Sequence, residues 1–393
     1  MRVVDADGKT HLFGPGPGPA PTIRLHERAL HRQLFFNPKL HFGEAYMDGR
    51  LTIEDGTLYE VLDLVTRNIA ALERHPLQRL QSFVGRTLHF IHTNNPVGRA
   101  QRNVAHHYDL SGVLYDLFLD KDRQYSCAYF ATDNDSLELA QANKKLHIAS
   151  KLLLEPGLRV LDIGSGWGGL ALYLAKLADV DVTGVTLSQE QHKLSQQRAS
   201  DAGLSDRVRF HLRDYRLQQG PFDRIVSVGM FEHVGTKHYR EFFRKVKELL
   251  TEDGVMLLHA IGRMDPPGTT NPWLRKYIFP GGYTPALSEV LRAVEDVGLW
   301  VTDIEILRLH YAKTLREWHR RFQANRDKIR ALYDERFCRM WEFYLVGCEL
   351  AFRNLGQMVF QMQIARRQEA VPLTRDYMQA FERAMQGRSA AIA

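Results

Sequence analysis

The sequence predicts an α/β fold, with a doubly wound, mostly parallel, Rossmann-like sheet, helical additions and a small α+β domain at the N-terminus. Predicted strands and helices alternate from Leu137 to about residue 262, which is typical of a parallel sheet covered on both faces. A glycine-rich loop joins the first of these strands to the helix that follows it. A polar stretch at residues 91–104 separates this region from a less regular one.

The chain is long enough for a large catalytic domain and one smaller module. It has 393 residues, of which 44% are hydrophobic, so a substantial core is expected. A net charge of +6 with 25% charged residues is a modest basic bias, which suits a soluble protein or contact with an anionic surface. We expect no nucleic acid partner. The three cysteines, Cys127, Cys338 and Cys348, show no metal-binding spacing, which indicates a reducing cytoplasm and no metal site.

The sequence contains no predicted membrane-spanning segment. The N-terminal residues lack the apolar run of a signal peptide, and no stretch approaches the roughly 18 apolar residues of a membrane span. We therefore expect a cytoplasmic protein whose contact with lipid is peripheral.

The predicted domains are an N-terminal domain at residues 1–90, a linker at residues 91–104 and a catalytic domain at residues 105–393. In the first domain, a Pro/Gly connector at residues 13–21 separates a short leader from a strand and helix that begin near Thr22. An amphipathic helix is predicted at residues 58–72. This small mixed domain suits a packing or dimerisation cap as well as a lipid-handling or docking role, and both readings stay open.

The catalytic domain begins with an aromatic segment and continues as the alternating region. A helix through about Leu154 leads to the first strand, which ends at Ile163. Further strands are predicted at residues 180–188, 207–214, 222–230 and 254–261, with helices ending near residue 178 and spanning residues 189–202 and 237–250. Residues 312–368 are predicted to form long helices, with an apolar stripe that packs into the core or lines an acyl tunnel.

The loop after the first strand predicts a nucleotide site. Its glycines leave the backbone bare beside the start of a helix, and they also satisfy the G-x-G-x-x-G pattern of dinucleotide-binding proteins. Asp162 stands two residues before the first glycine, where a carboxylate repels a pyrophosphate but can receive an ammonium group. Thr186 and Gln191 lie where a dinucleotide protein more often has an acid. This pattern favours S-adenosylmethionine (SAM), which carries an ammonium and no phosphate.

Several motifs together resemble the cyclopropane-fatty-acyl-phospholipid synthase family, which includes the mycolic-acid cyclopropane synthases. The motifs are HYDLS (107–111), YSCAYF (125–130), LDIGSGWGG (161–169), TLSQEQ (186–191), DRIVSVGMFEHVG (223–235), HAIG (259–262) and KYIFPGG (276–282). The resemblance covers about residues 100–393. The segment FGEAYMDGRLTIEDG also looks like the N-terminal module of the phospholipid-acting members. The fold implied is the seven-stranded sheet of SAM methyltransferases.

The resemblance implies two groups of site residues. The SAM contacts would be Tyr125, Ser126, Gly164, Gly166, Thr186, Leu187, Gln191, Asp214 and Tyr215, joined by Asp162 on the charge argument. The catalytic group would bind a bicarbonate ion as the base, through Cys127, Glu232, His259, Ile261 and Tyr311. Glu232 would accept the bicarbonate O–H, His259 and Tyr311 would donate to its other oxygens, and Cys127 and Ile261 would contribute chiefly backbone groups.

The activity implied is addition of the SAM methyl carbon to the cis double bond of a phospholipid acyl chain, followed by ring closure. The methylated chain would be a carbocation, and the aromatic residues suited to stabilise it are Tyr125, Tyr129, Phe130, Phe231, Tyr277 and Tyr311. The substrate would lie at the inner face of the membrane, with the enzyme peripherally associated, and formation of a homodimer stays open.

Three alternatives remain at this point. One is a family member that methylates the chain without closing the ring, giving a branched or methylene product. A nicotinamide dehydrogenase would share the glycine loop but not Asp162. A non-catalytic lipid-binding protein would have no need of Glu232 and His259 at strand ends.

Overall fold

The computed structural model describes residues 1–14, 20–69 and 112–392, and within these ranges the chain forms two β-sheets. The predicted linker at residues 91–104, the HYDLS motif and the predicted boundaries at residues 90 and 105 lie outside the described residues. These predictions stay untested.

The smaller sheet belongs to the N-terminal domain. It contains strands β1 (Arg2–Val4), β2 (Thr10–Leu12), β3 (Thr22–Leu25) and β4 (Leu51–Asp55), in the order β2-β1-β3-β4. Helices α1 (Ala29–Phe36), α2 (Pro38–Met47) and α3 (Leu58–Arg67) accompany it. The predicted strand and helix after Thr22 are confirmed. The leader is not a separate piece, because β1 pairs in parallel with β3 and so completes the sheet.

The larger sheet contains seven strands among the described residues. They are β5 (Arg159–Ile163), β6 (Asp181–Thr186), β7 (Val208–Leu212), β8 (Phe222–Val228), β9 (Leu250–Arg263), β10 (Trp300–Ile306) and β11 (Gln357–Ala365), in the order β10-β11-β9-β8-β5-β6-β7. Strands β5 to β9 pair in parallel, whereas β11 is antiparallel to both β9 and β10. The predicted seven-stranded, mostly parallel sheet is confirmed.

Helices cover both faces of this sheet. They are α4 (Gly112–Asp116), α5 (Leu137–Lys151), α6 (Gly169–Ala178), α7 (Gln189–Asp201), α8 (Tyr239–Leu249), α9 (Pro272–Tyr277), α10 (Leu287–Val297), α11 (His310–Ala324), α12 (Arg326–Leu332), α13 (Glu335–Asn354) and α14 (Asp376–Ile392). None of the helices within the described ranges is both long and apolar enough to span a membrane.

The prediction of long helices throughout residues 312–368 is wrong for its last part. Helix α13 ends at Asn354, and β11 then runs between β9 and β10. Eight of the nine residues of β11 are buried, because helices cover both faces of this strand. Six of the nine residues of this stretch are apolar, and a short, mainly apolar stretch looks the same in a buried helix and in a buried strand, so periodicity does not distinguish them.

The N-terminal domain packs against α9 and α13 of the catalytic domain. Lys276 Nζ donates to Glu44 Oε1 at 2.6 Å, and Tyr46 Oη donates to Glu342 Oε2 at 3.0 Å. An apolar cluster of Leu58, Leu62, Val346 and Leu350 lies between α3 and α13. The small domain is therefore fixed to the helices that flank the candidate site.

Candidate active site

A cavity lies at the carboxyl ends of β5, β6, β7 and β8, where the strands of a doubly wound sheet bind their ligands. All ten residues predicted to contact SAM line it: Tyr125, Ser126, Asp162, Gly164, Gly166, Thr186, Leu187, Gln191, Asp214 and Tyr215. The structure thus brings together residues at the carboxyl ends of three strands, β5, β6 and β7, and residues from the segment that precedes α5.

The glycine loop forms the floor of this cavity. Gly164 and Gly166 have φ angles of +85° and +53°, which side-chain-bearing residues rarely adopt. The N–H groups of Gly164 and Ser165 both donate to the Val185 carbonyl, at 2.9 and 3.0 Å, which ties the loop to the end of β6. A Cβ on Gly166 would meet nothing within 4 Å, so the backbone there is open to a ligand.

Asp162 is the buried acid of the cavity. Only 2% of its surface is exposed, and burial raises the pKa of its carboxyl to about 7, although the charge of Lys144 opposes this shift. A bound cation favours the ionised carboxylate and so reverses the effect of burial. The ammonium of SAM supplies such a cation, whereas a pyrophosphate would add a second anion. The residues present therefore fit SAM.

Two pairs of hydrogen-bonded polar side chains line the cavity. Thr186 Oγ1 donates to Gln191 Oε1 at 2.9 Å, which leaves the Gln191 amide nitrogen as the donor end of that side chain. Asp214 accepts two hydrogen bonds from the Arg216 guanidinium, at 2.9 and 2.7 Å. Asp214 therefore already has a cationic partner, Arg216.

Lys144 is a buried residue that the sequence interpretation missed. It lies on α5 with no exposed surface, and its Nζ donates to Gln124 Oε1 at 2.6 Å and to Ser126 Oγ at 2.8 Å. Burial lowers the pKa of this lysine to about 8. It holds the segment that forms one wall of the cavity. No local signal identifies it, because a lysine on an amphipathic helix normally faces water.

None of the five candidate catalytic residues lines this cavity, but two of them are adjacent in the chain to residues that do. Their chain neighbours Ser126 and His233 do line it, next to Cys127 and Glu232 respectively. Burial lowers the pKa of His233 to about 4, so its imidazole is neutral at pH 7. His233 is not among the predicted site residues, although its position after a strand end was an available signal.

Glu232 follows β8 and is nearly enclosed. Its Oε1 accepts the Ile261 N–H at 2.7 Å, and its Oε2 is buried with no hydrogen-bond partner among the described residues. Burial raises the pKa of this carboxyl to about 7. The Ile261 N–H, predicted to face a bicarbonate ion, is therefore bound to Glu232 in this structure. The orphaned Oε2 can accept the O–H of a small anion.

Cys127 and Tyr311 lie together in the aromatic core cluster that flanks Ile261. The N–H of Ala128 donates to Thr314 Oγ1 on α11 at 3.0 Å, one turn after Tyr311. Burial raises the pKa of the Cys127 thiol far above its usual value, and its Sγ contacts the Ala128 carbonyl at 3.4 Å. The thiol therefore stays protonated, which argues against a nucleophilic role.

His259 pairs with Val228, the last residue of β8, and is 2% exposed, although β9 itself continues to Arg263. Its Nδ1 lies 3.1 Å from Gln361 Nε2 on the neighbouring strand β11. Burial, together with the charge of Lys144, holds the pKa of His259 well below its usual value. A neutral imidazole with one N–H results.

The six aromatic candidates for stabilising a cation are spread over different environments. Tyr125 stacks on Trp318 at 5.1 Å between ring centroids, and Tyr311 meets the same indole edge-on at 5.8 Å. Phe231 is instead enclosed beneath α8, stacked on Tyr239. The other candidates are Tyr129, stacked between two histidines, Phe130, near His310, and Tyr277, whose hydroxyl donates to Glu44.

The described residues contain no group of three or more His, Cys, Asp or Glu side chains arranged to hold a metal ion. The chemistry of the site has to be assigned from its cavity and its buried polar groups.

Comparison with known proteins adds to this geometry. The model of a family described as mycolic acid cyclopropane synthetase matches residues 97–362, and one described as a domain of unknown function matches residues 1–75. A cyclopropane-fatty-acyl-phospholipid synthase of Escherichia coli is 39% identical over 355 residues, covering 89% of each chain. A probable fatty acid methyltransferase of Pseudomonas putida is 36% identical over 391 residues, covering 96% of each chain.

A solved structure is also similar. The mycolic acid cyclopropane synthase CmaA1, complexed with SAH and CTAB, superposes with a TM-score of 0.64 at 37% identity. The match covers 69% of this chain and 99% of that one.

Proposed function

The chain belongs to the mycolic acid cyclopropane synthetase family and is a SAM-dependent methyltransferase, and we propose that it builds cyclopropane rings on the unsaturated acyl chains of membrane phospholipids. Family membership overturns two alternatives, the nicotinamide dehydrogenase and the non-catalytic lipid-binding protein. The proposal concerns the acceptor, the fate of the methyl group and the base.

The observation that carries the proposal is the adjacency of two unlike sites. A cavity with an ammonium-binding acid suits any SAM methyltransferase. Beside it, Glu232 presents a buried carboxyl oxygen without a partner among the described residues, and Ile261 links it to the strand that carries His259. A second polar site next to the donor cavity is what ring closure requires, because a proton must leave after methyl transfer.

The reaction depends more on alignment of the alkene with the SAM methyl carbon than on an activated nucleophile. The alkene attacks the methyl carbon as the carbon–sulfur bond breaks, S-adenosylhomocysteine leaves and a carbocation remains on the acyl chain. Loss of a proton from the new methyl group then provides the electron pair for the second carbon–carbon bond. A dry, closely packed pocket favours the first step because an isolated alkene is a weak nucleophile.

Aromatic faces stabilise the cation between these steps. Tyr125 and Tyr311 pack on Trp318 and lie in the cluster that also contains Cys127. The faces of such rings attract positive charge where water is excluded. A cation lodged there is protected from capture by water until the proton leaves.

Residues around Glu232 suit a small anion that carries its own O–H. Glu232 Oε2 accepts that hydrogen, His259 and Tyr311 donate to the remaining oxygens, and the backbone near Cys127 completes the site. When bound, bicarbonate would supply the base that receives the proton. Glu232 must be ionised to accept this hydrogen, and its pKa of about 7 leaves about half of the carboxyl groups ionised at pH 7.

Phospholipid is the proposed acceptor because the relative from Escherichia coli is named for it and covers 89% of this chain, N-terminal domain included. The solved mycolic acid synthase matches 69% of the chain. In the N-terminal domain, Leu12, Phe13, Phe35 and Phe36 are exposed, which suits peripheral docking on the inner face of the membrane.

One second candidate has its own support. The relative from Pseudomonas putida is named a probable fatty acid methyltransferase and covers 96% of this chain. A product that loses a proton from the chain and keeps the methyl group as a branch beside a double bond would leave the fold and the SAM site unchanged. The same holds for a product that loses a methyl proton after a hydride shift and so carries a methylene group.

Methyl transfer to vesicles tests the acceptor. The protein is incubated with methyl-labelled SAM and either vesicles of a cis-unsaturated phospholipid or the corresponding free fatty acid, and label is counted in the isolated lipids. We expect label in the phospholipid chains. Label restricted to free fatty acid would assign a different acceptor, and label in neither would contradict the proposal.

A further inference from the structure

A chain of buried polar side chains runs from α5 through β11 to His259. Gln361 on β11 and His259 on β9 are directly opposed in the antiparallel pair, so their side chains lie on the same face. Gln361 and His259 are 1% and 2% exposed, and Lys151 on α5 is 1% exposed. Water therefore does not compete for the hydrogen bonds among them.

The donor at one end of this chain determines every hydrogen bond that follows. Lys151 Nζ lies 2.6 Å from Gln361 Oε1 and also contacts the Glu305 carboxylate. An ammonium only donates, so both partners accept from it, and the Gln361 carbonyl must face Lys151. The amide nitrogen then faces His259.

That orientation determines the state of the imidazole. Gln361 Nε2 lies 3.1 Å from His259 Nδ1, and an amide NH₂ only donates. His259 Nδ1 must therefore accept with its lone pair. Burial holds the pKa of His259 well below its usual value, so the ring carries one proton, and that proton is on Nε2.

We propose that Lys151 and Gln361 are positioning residues that hold His259 as its Nε2–H tautomer, so that the ring presents a hydrogen-bond donor to the anion beside Glu232. The use of that donor rests on the proposed function, whereas the tautomer follows from the hydrogen bonds alone. The opposite tautomer would present a lone pair to the anion and repel it.

This series of hydrogen-bonded side chains also explains why the Lys151 ammonium keeps its orientation. Glu305, which accepts from Lys151, accepts from His147 Nε2 at 2.6 Å as well, and His147 Nδ1 is 2.6 Å from Glu382 on α14. The lysine is therefore held between a carboxylate with two partners and the Gln361 amide. Burial without those acceptors would favour its neutral form.

A near-isosteric exchange tests the assignment. In Gln361→Glu the new carboxylate still accepts from Lys151 but can only accept at His259, so the ring must move its proton to Nδ1 or become doubly protonated. Gln363→Glu is the matched control, because Gln363 lies on the same strand, is equally buried and donates to the Lys151 carbonyl at 2.6 Å without touching His259.

The measurement is the nitrogen NMR spectrum of the protein with labelled histidine, where protonated and unprotonated ring nitrogens resonate apart. The His259 signals are assigned by their absence in His259→Gln. We expect Nε2 protonated and Nδ1 unprotonated in the wild type and in Gln363→Glu, and a protonated Nδ1 in Gln361→Glu. A protonated Nδ1 in the wild type would overturn the proposal.

A second variant keeps the test open if the carboxylate exchange prevents folding. Lys151→Met removes the donor that orients Gln361, so we expect a mixture of His259 tautomers. A spectrum identical to that of the wild type would show that Lys151 does not determine the His259 tautomer. Thermal unfolding identifies variants that fold.

Turnover measured at varied bicarbonate concentration tests whether the His259 Nε2–H donates to the anion. If the proton moves from Nε2 to Nδ1 in Gln361→Glu, loss of a hydrogen bond to a charged partner predicts roughly a 10- to 100-fold rise in the bicarbonate concentration that turnover needs, with SAM affinity unchanged. A doubly protonated ring keeps its Nε2–H, and in that case no rise is expected. An unchanged requirement with the tautomer reversed would overturn the positioning role. Wild-type turnover independent of bicarbonate would refute the proposed base instead, and the NMR result would still stand because it requires no substrate.

Discussion

Binding of the nucleotide ligand is expected to weaken sharply below neutral pH because of one buried acid. Burial raises the pKa of Asp162 to about 7 in the ligand-free protein, and its carboxylate is the proposed partner of the SAM ammonium. Protonation below pH 7 removes the negative charge that this ammonium needs. Affinity should therefore fall as pH falls, which is the direction expected for an acid that must be ionised in the complex.

The size of the effect follows from the ionised fraction. With a pKa of about 7, roughly half of Asp162 is ionised at pH 7 and about one part in eleven at pH 6, so the apparent Kd rises about fivefold over that interval. The ligand's own amino group, with a pKa near 7.7–8.0, stays protonated at both values. Asp162→Asn should bind roughly 10- to 100-fold more weakly at pH 7, as expected for loss of a charged hydrogen-bond partner.

Calorimetric titration with S-adenosylhomocysteine, which has the same amino-acid end as SAM, measures both quantities. We expect a fivefold change from pH 7 to pH 6 in the wild type and none in Asp162→Asn. Asp181→Asn is the control, because Asp181 begins β6 at the opposite edge of the sheet, and it should behave as the wild type. An equal pH response in Asp162→Asn would refute the assignment of the ammonium to this carboxylate.

Three further substitutions follow from the structure. Glu232→Gln should keep ligand affinity in the same titration but lose most methyl transfer to lipid. Near-normal turnover would contradict the proposed acceptor role of Oε2, which has no hydrogen-bond partner among the described residues. Cys127→Ala should retain turnover of the same order, because burial keeps the thiol protonated, and complete loss of turnover would contradict this expectation. Gly43→Ala should lower the free energy of unfolding by about 1–3 kcal/mol, because a Cβ there would lie 2.5 Å from Trp273 Nε1, whereas Gly347→Ala on an open helix face should not. Denaturant unfolding compares these two glycine variants, and equal stabilities would contradict the tight fit between α2 and α9.

The features of the site that could be predicted from the sequence are local in the chain. Strand, glycine loop and helix follow one another within Val160–Leu170, so the position of Asp162 relative to the loop could be inferred from spacing alone. Glu232 could be placed after the end of a strand for the same reason. His259 does not end its strand, because β9 continues to Arg263, but it pairs with Val228 at the end of β8 and so lies level with that edge.

Contacts between distant elements could not be predicted in this way. Gln361 meets His259 across 102 residues, and the strand that carries Gln361 was predicted to be helical. A buried glutamine in an apolar run gives no signal of the strand on which it lies. Lys144 was missed because its burial depends on the fold of residues 120–126 over α5.

In the N-terminal domain, too, local features could be predicted from the sequence and contacts between distant segments could not. The strand and helix after Thr22 follow from local pattern, whereas the pairing of Arg2–Val4 with β3 joins two segments on either side of the Pro/Gly connector. Pairing of that kind depends on register and burial in the folded chain, which propensity does not specify.

The central claim, that the methyl carbon becomes a ring carbon, is tested most directly with SAM whose methyl group carries three deuterium atoms. The acyl chains of treated phospholipid vesicles are analysed by mass spectrometry, and ring protons are identified by NMR. We expect a cyclopropane that keeps two of the three deuterium atoms, because the base removes one of them before the ring closes. A chain that keeps all three in a methyl branch, or an intact alkene without label, would contradict it.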